Sequence, residues 1–195
     1  MKAGFLHSYI LPALAAGILL TGFSGLAVAA STEEKRAEIR KMRTETLAKL
    51  YKLHPQAKGD IQKSAGYAVF SNVGINLIFL SAAGGSGVAH DNRTGKDIYM
   101  KMISGGLGIG LGVKDFRGVF VFSDSKGLKQ FAESGWAADA QADAAAKSGD
   151  KGGALAGAIT VAPGVDLYQI TENGLALQAT IQGTKYYKDD ELNAK

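Results

Sequence analysis

The 195-residue sequence contains no cysteine, only three histidines and only three prolines. Without cysteine the chain has no disulfide, no thiolate metal ligand and no attachment point for a lipoprotein anchor. Leu20-Thr21-Gly22 would suit the approach to a lipoprotein cysteine, but Phe23 follows. Neither His54 nor His90 has a recognisable nucleophile beside it, and no G-x-S-x-G sequence occurs. We therefore expect no enzymatic activity, no cofactor and no metal site.

The N-terminus has the pattern of a secretory signal peptide. A lysine at the second position precedes an almost wholly apolar run over residues 10–20, and small residues follow at 27–30. This order is typical of a cleaved leader, and the apolar run is short for a transmembrane span, which needs about 20 residues. A retained N-terminal anchor is the alternative. We expect residues 1–29 to be removed by cleavage after Ala29 or Ala30, which leaves a periplasmic protein.

The remaining chain, residues 30–195, is long enough for a single domain with a core. Its first segment predicts an amphipathic helix over about residues 32–53, with a capping box of Ser31 and Glu34 at the start. Pro55 ends or kinks this helix, and a short second helix is expected over residues 57–64. One side of the first helix carries a stripe of apolar residues: Ile39, Met42, Leu47, Leu50 and Leu53.

After Gly66 the apolar period changes from 3.6 residues to two, which predicts strands. The predicted strands are residues 67–71, 75–81, 86–90, 97–103, 107–113, 117–122, 155–161, 165–171 and 175–182. Asp124 is expected to cap a short helix through Phe131, and alternation favours strand over helix for residues 136–146. Short connections such as Asn173-Gly174 indicate antiparallel pairing. The predicted fold is α+β, with N-terminal helices packed on a large, curved, glycine-rich antiparallel sheet of barrel-like character.

Glycine recurs at every second position from Gly106 to Gly112. Dinucleotide binding needs a G-x-G-x-x-G spacing between a strand and a helix, whereas here another strand follows. This ladder therefore predicts a strand face without side chains, which eases close packing and bending of the sheet.

Positive charge is concentrated before the sheet. Residues 31–63 hold nine Lys or Arg and five Asp or Glu, whereas the acidic tail at residues 189–191 is expected to be solvated. Two interpretations of the first helix remain open: its apolar stripe covers the sheet, or the stripe enters a lipid interface while its cations contact phosphates. Those cations are Lys35, Arg36, Arg40, Lys41, Arg43, Lys49 and Lys52. Without Lys2 of the leader the chain carries 21 Lys or Arg against 18 Asp or Glu. This formal charge of +3 is weak for a nucleic-acid partner and export removes most such partners, so none is expected.

Several motifs, in their order and spacing, resemble the SYLF domain. They are AGYAVF at residues 65–70, GGSGV at 84–88, the segment 106–122, TENGLALQ at 171–178 and GTKYY at 183–187. The resemblance extends over nearly all of the chain after the leader and is closest to short exported bacterial members. It implies lipid binding, with phosphoinositides and actin as ligands of eukaryotic members.

An exported protein does not meet actin, so the resemblance implies anionic bacterial phospholipid as the partner. By position, residues 33–53 match the helix that contacts lipid in eukaryotic members. We expect a lipid-binding module that associates reversibly with an anionic membrane surface. The alternative is an envelope protein that binds a protein partner through its sheet, with the helix serving only to cover the core.

Overall fold

The computed structural model describes residues 23–72, 84–104, 117–137, 155–171, 174–176 and 183–194. The helices in this part of the chain are α1 (Phe23–Leu53), α2 (Ala57–Lys63), α3 (Ser125–Ser134) and α4 (Asp190–Asn193). The strands are β1 (Gly66–Ser71), β2 (Gly84–Asp91), β3 (Asp97–Ser104), β4 (Arg117–Phe122), β5 (Trp136–Ala137), β6 (Ile159–Ala162), β7 (Val165–Thr171), β8 (Gly174–Ala176) and β9 (Thr184–Lys188).

The strands form one curved antiparallel sheet, which confirms the predicted α+β class. Its order is β5-β9-β3-β2-β1-β4-β7-β6, and β8 pairs with β7. The central strand β1 is buried at every position, and β4 is buried after Arg117. Packing on both faces explains why the β4 sequence is apolar without alternation.

Helices cover both faces of the sheet. On one face, which we call the α3 face, an aromatic core surrounds Phe131 of α3 and includes Phe70, Phe120, Trp136 and Tyr186. On the other face, which we call the α1 face, the core includes Ile39, Met42, Leu50, Ile61, Val69, Val88, Val119, Tyr168 and Ile170. The apolar stripe of α1 therefore covers the sheet.

Helix ends follow the local sequence signals, with one exception. Asp124 caps α3 by accepting hydrogen bonds from the amides of Lys126 and Gly127, as predicted. Gly135, at φ 76°, ends that helix in a conformation that favours glycine. The predicted start of α1 is wrong for the full-length chain, because the helix already begins at Phe23 and Ser31 lies inside it.

The C-terminal region differs most from the prediction. The strand expected over residues 155–161 begins only at Ile159, because the chain turns first, with the Ala158 amide donating to Leu155 O at 2.9 Å. Strand β9 and helix α4 were not predicted. The prediction of a solvated tail is wrong for Asp189, which is 4% exposed and caps α4. The predicted strands at 75–81 and 107–113, the glycine ladder and most of 136–146 lie outside the described residues.

Candidate lipid-contact surfaces

Several of the α1 cations predicted to contact lipid also make hydrogen bonds that hold the helix onto the rest of the fold. Arg36 Nε donates to the carbonyl oxygen of Leu192 at 2.9 Å, which links α1 to α4. Arg40 donates to the Tyr99 hydroxyl at 2.8 Å and to Glu33 at 2.6 Å. The hydrogen bond from Arg40 lowers the pKa of the Glu33 carboxyl. The contacts with Leu192 and Tyr99 reach α4 and β3, which are distant from α1 in sequence.

Arg43 lies at the centre of a polar network between α1 and the β2–β3 hairpin. Its Nη1 lies 2.8 and 2.9 Å from the two carboxylate oxygens of Asp97. His90 Nδ1 lies 2.6 Å from the same carboxylate, and its ring lies 5.1 Å from that of Tyr67. Burial raises the pKa of the Tyr67 hydroxyl. The network is mostly buried and aligns α1 across the sheet.

The seven predicted cations therefore do not form one surface. Lys49 Nζ lies 3.4 Å from Thr171 O, Lys35 is half-buried, and Lys41 and Lys52 are exposed. Among the apolar stripe residues, Leu53 is 42% exposed, whereas the stripe as a whole packs against the α1 face. A bilayer contact by the packed stripe would require the helix to leave the sheet. The exposed lysines need no such rearrangement.

A second surface lies on the α1 face beside the helix, and we call it the β3–β9 patch. It consists of Lys101, Ile103, Lys185 and Tyr187. The strand register pairs Ile103 with Lys185 and Lys101 with Tyr187. Paired residues, and residues two apart in a strand, project from the same face. Met102 and Tyr186 point to the opposite face, into the α3-face core.

The patch combines exposed apolar groups with cations. Ile103 is 41% exposed and Tyr187 is 36% exposed, and their strand positions are diagonal neighbours. Lys185 is exposed, and Lys101 Nζ lies 3.1 Å from Asp189 Oδ2. An aliphatic group, an aromatic ring with a polar tip and lysines on flexible stems suit a boundary between acyl chains and headgroups.

Sequence reasoning missed the patch because it depends on the pairing of β3 with β9. Burial alternates over Thr184–Tyr187 in the structure, but the sequence TKYYK of β9 does not alternate between apolar and polar residues. Within the described ranges, no cluster of three or more His, Asp or Glu could hold a metal ion. No helix in the same part of the chain is both long and apolar enough to cross a membrane.

Comparison with known proteins gives one informative match. Over 162 residues the chain is 36% identical to Beta cell expansion factor A of Aeromonas veronii. The alignment covers 83% of this chain and 60% of that protein, so the chain spans less than two thirds of the relative's length. No protein-family model matches the chain.

Proposed function

We propose that the chain is an exported, non-catalytic lipid-binding module of the SYLF type, which associates reversibly with anionic phospholipid at a periplasmic membrane surface. The motifs that resemble the SYLF domain support this proposal, and so does the composition of the β3–β9 patch. The patch is the observation that carries it, because apolar and cationic side chains are exposed together there. The similarity to Beta cell expansion factor A extends over most of the chain, and that protein's name specifies no ligand.

The patch is held rigidly enough to act as a contact surface. Strand β9 lies between β3 and β5 in the sheet. Tyr186, which is fully buried, packs 4.8 Å from Phe70 between ring centroids and fixes β9 against the α3-face core. Because the packing of Tyr186 already orders β9, Tyr187 and Lys185 project outward and need not become ordered when a ligand binds.

The size of the patch predicts weak binding. Full burial of an Ile or aromatic side chain contributes about 1.5–3 kcal/mol, and roughly two fifths of Ile103 and Tyr187 remains to be buried. Together they would contribute about 1–2 kcal/mol. The two lysines of the patch, Lys101 and Lys185, add about 1 kcal/mol each near an anionic surface. The sum corresponds to an affinity in about the millimolar range, which is consistent with reversible association.

The exposed lysines of α1 extend this surface in our proposal. Lys41 and Lys52 make the helix outwardly basic without disturbing its packed stripe. Arg36, Arg40 and Arg43 contribute mainly to holding α1 in place, since each bonds to a group elsewhere in the fold. Lipid contact by any of the seven cations stays a prediction.

The proposal is tested by co-sedimentation with phosphatidylglycerol vesicles and with neutral phosphatidylcholine vesicles, at low and high salt. We expect binding to the anionic vesicles only, and loss of that binding at high salt because exposed charges are screened over about 10 Å at 0.1 M. The variant Ile103→Asp/Tyr187→Asp should bind at least fivefold more weakly. Leu53→Asp is the matched control, because Leu53 is equally exposed but lies at the end of α1.

Circular dichroism establishes that each variant is folded. The proposal is overturned if the wild-type chain does not bind anionic vesicles, or if the patch variant binds them as well as Leu53→Asp does. Absence of vesicle binding together with a stoichiometric crosslinked envelope protein would favour the alternative of a protein partner held by the sheet.

A further inference from the structure

A groove lies on the α3 face of the sheet, between the β2–β3 hairpin and α3. It is a half-open cavity of about 420 Å³, a size typical of sites for small ligands. Its floor is apolar and consists of Ala89 on β2, Ile98 on β3, and Leu128 and Ala132 on α3. Each of these residues also contacts the α3-face core, so the floor is a continuation of that core to the surface.

Cations line both walls of the groove. Arg93 and Lys96 come from the hairpin, and Lys126 and Lys129 come from α3. The two α3 lysines are three residues apart and therefore share one side of the helix. All four side chains are exposed, and within the described residues none of them belongs to an ion pair.

The acidic residues of the lining offset only half of this positive charge. They are Asp91 and Glu133, against four positive charges. Asp91 Oδ1 already accepts hydrogen bonds from the amides of Arg93 and Thr94, each at 2.9 Å. The Thr94 amide bond is the main cause of a lowered Asp91 pKa. The Asp91 carboxylate therefore stays ionised, and four cations against two carboxylates leave the lining with a net charge of +2.

Both walls are fixed before any ligand arrives. In the hairpin, Asn92 Nδ2 donates to Ile61 O at 2.7 Å and to Ser64 O at 3.1 Å, which ties the turn to the end of α2. On the other side, α3 is held by Leu128, Phe131 and Ala132, which are buried in the α3-face core. A preformed groove avoids the ordering cost that a flexible site would add to binding.

We propose that this groove binds one single-chain lipid that carries a phosphate. The alkyl chain lies along the apolar floor, and the phosphate lies between the hairpin cations and the α3 lysines. This inference rests on the proposed lipid-binding function and adds a site for an individual lipid molecule, separate from the β3–β9 patch. The complementarity requires both parts of the ligand, because a free anion contacts only the walls and an uncharged chain contacts only the floor.

The test is calorimetric titration of the full chain with dodecyl phosphate, kept below its micelle concentration. We expect saturable binding of one molecule per chain, no detectable binding of inorganic phosphate, and at least tenfold weaker binding of dodecyl maltoside. The variant Lys126→Glu/Lys129→Glu should bind dodecyl phosphate at least tenfold more weakly. Lys58→Glu/Lys188→Glu is the matched control, because these exposed lysines line neither the groove nor the β3–β9 patch, and it should bind like the wild type.

Several outcomes would overturn the inference: no saturable binding by the wild type, equal binding by the two lysine variants, or preference for an acidic peptide over dodecyl phosphate. Vesicle co-sedimentation separates this inference from the proposed function. Vesicle binding without dodecyl phosphate binding refutes the groove alone. Dodecyl phosphate binding without vesicle binding refutes membrane association alone, and the groove variant should still bind vesicles through the β3–β9 patch.

Discussion

Replacing Arg43 with Met removes the ion pair that aligns α1 on the sheet. The guanidinium makes contacts of 2.8 and 2.9 Å to Asp97, and the two side chains are 18% and 21% exposed. Breaking a fully buried pair costs about 3–5 kcal/mol, and a hydrogen bond to a charged group contributes about 1.5–3 kcal/mol. Partial solvent access and the remaining His90 contact reduce the loss, so we expect about 2 kcal/mol.

The matched variant is Lys41→Met on the same helix, where the side chain is exposed. A surface substitution of this kind changes the free energy of unfolding by less than about 0.5 kcal/mol. Urea denaturation followed by far-ultraviolet circular dichroism measures both variants. A loss of 2 kcal/mol corresponds to a melting temperature lower by about 4–8 °C in a chain of this size. Equal stability of the two variants, at equal urea dependence, would refute the structural role given to Arg43.

Three further predictions concern buried polar groups. Tyr186→Phe should be neutral or stabilising by up to about 1 kcal/mol, because its buried hydroxyl has no partner among the described residues. Tyr168→Phe should instead destabilise the fold by about 1–2 kcal/mol, because the Tyr168 hydroxyl donates to Asp60 at 3.2 Å. The opposite order of stability in chemical denaturation would contradict both predictions. Burial, followed by the Asp60 charge, raises the pKa of Tyr168 above its usual 10.0, so its contribution to stability is present below that pH and is lost as the pH rises through the folded-state value. The difference in unfolding free energy between wild type and Tyr168→Phe should therefore narrow above pH 10.0. A constant difference would disprove the coupling between Tyr168 ionisation and stability. Asp189→Ala should cost about 1–2 kcal/mol through loss of the α4 cap, whereas Asp190→Ala, at an exposed position, should not change the unfolding midpoint.

Local signals in the sequence were sufficient for most of the described fold. The change of apolar period after Gly66 marks the start of β1, and Asp124 marks the start of α3. These predictions succeed because capping and side-chain alternation are determined by residues within a few positions of each other. The start of α1 was missed because Ser31 satisfies a capping pattern while the preceding residues also favour helix.

The candidate surfaces depend on contacts that are remote in sequence. A basic helix face looks the same whether its cations meet lipid or protein, and only the position of Asp97 shows that Arg43 belongs to the fold. The β3–β9 patch requires a register between strands more than 80 positions apart, as in the pairing of Ile103 with Lys185. The groove likewise requires α3 to pack beside the β2–β3 hairpin, which no local pattern specifies.

We propose above all that the β3–β9 patch, with its mixed apolar and basic character, binds anionic membrane. The most direct test of this proposal is titration of the chain with phosphatidylglycerol vesicles, with Ile103→Asp/Tyr187→Asp measured beside Leu53→Asp. We expect salt-sensitive binding that the patch variant loses and the control retains. Binding that is absent in the wild type, or that is equal in the two variants, would contradict it.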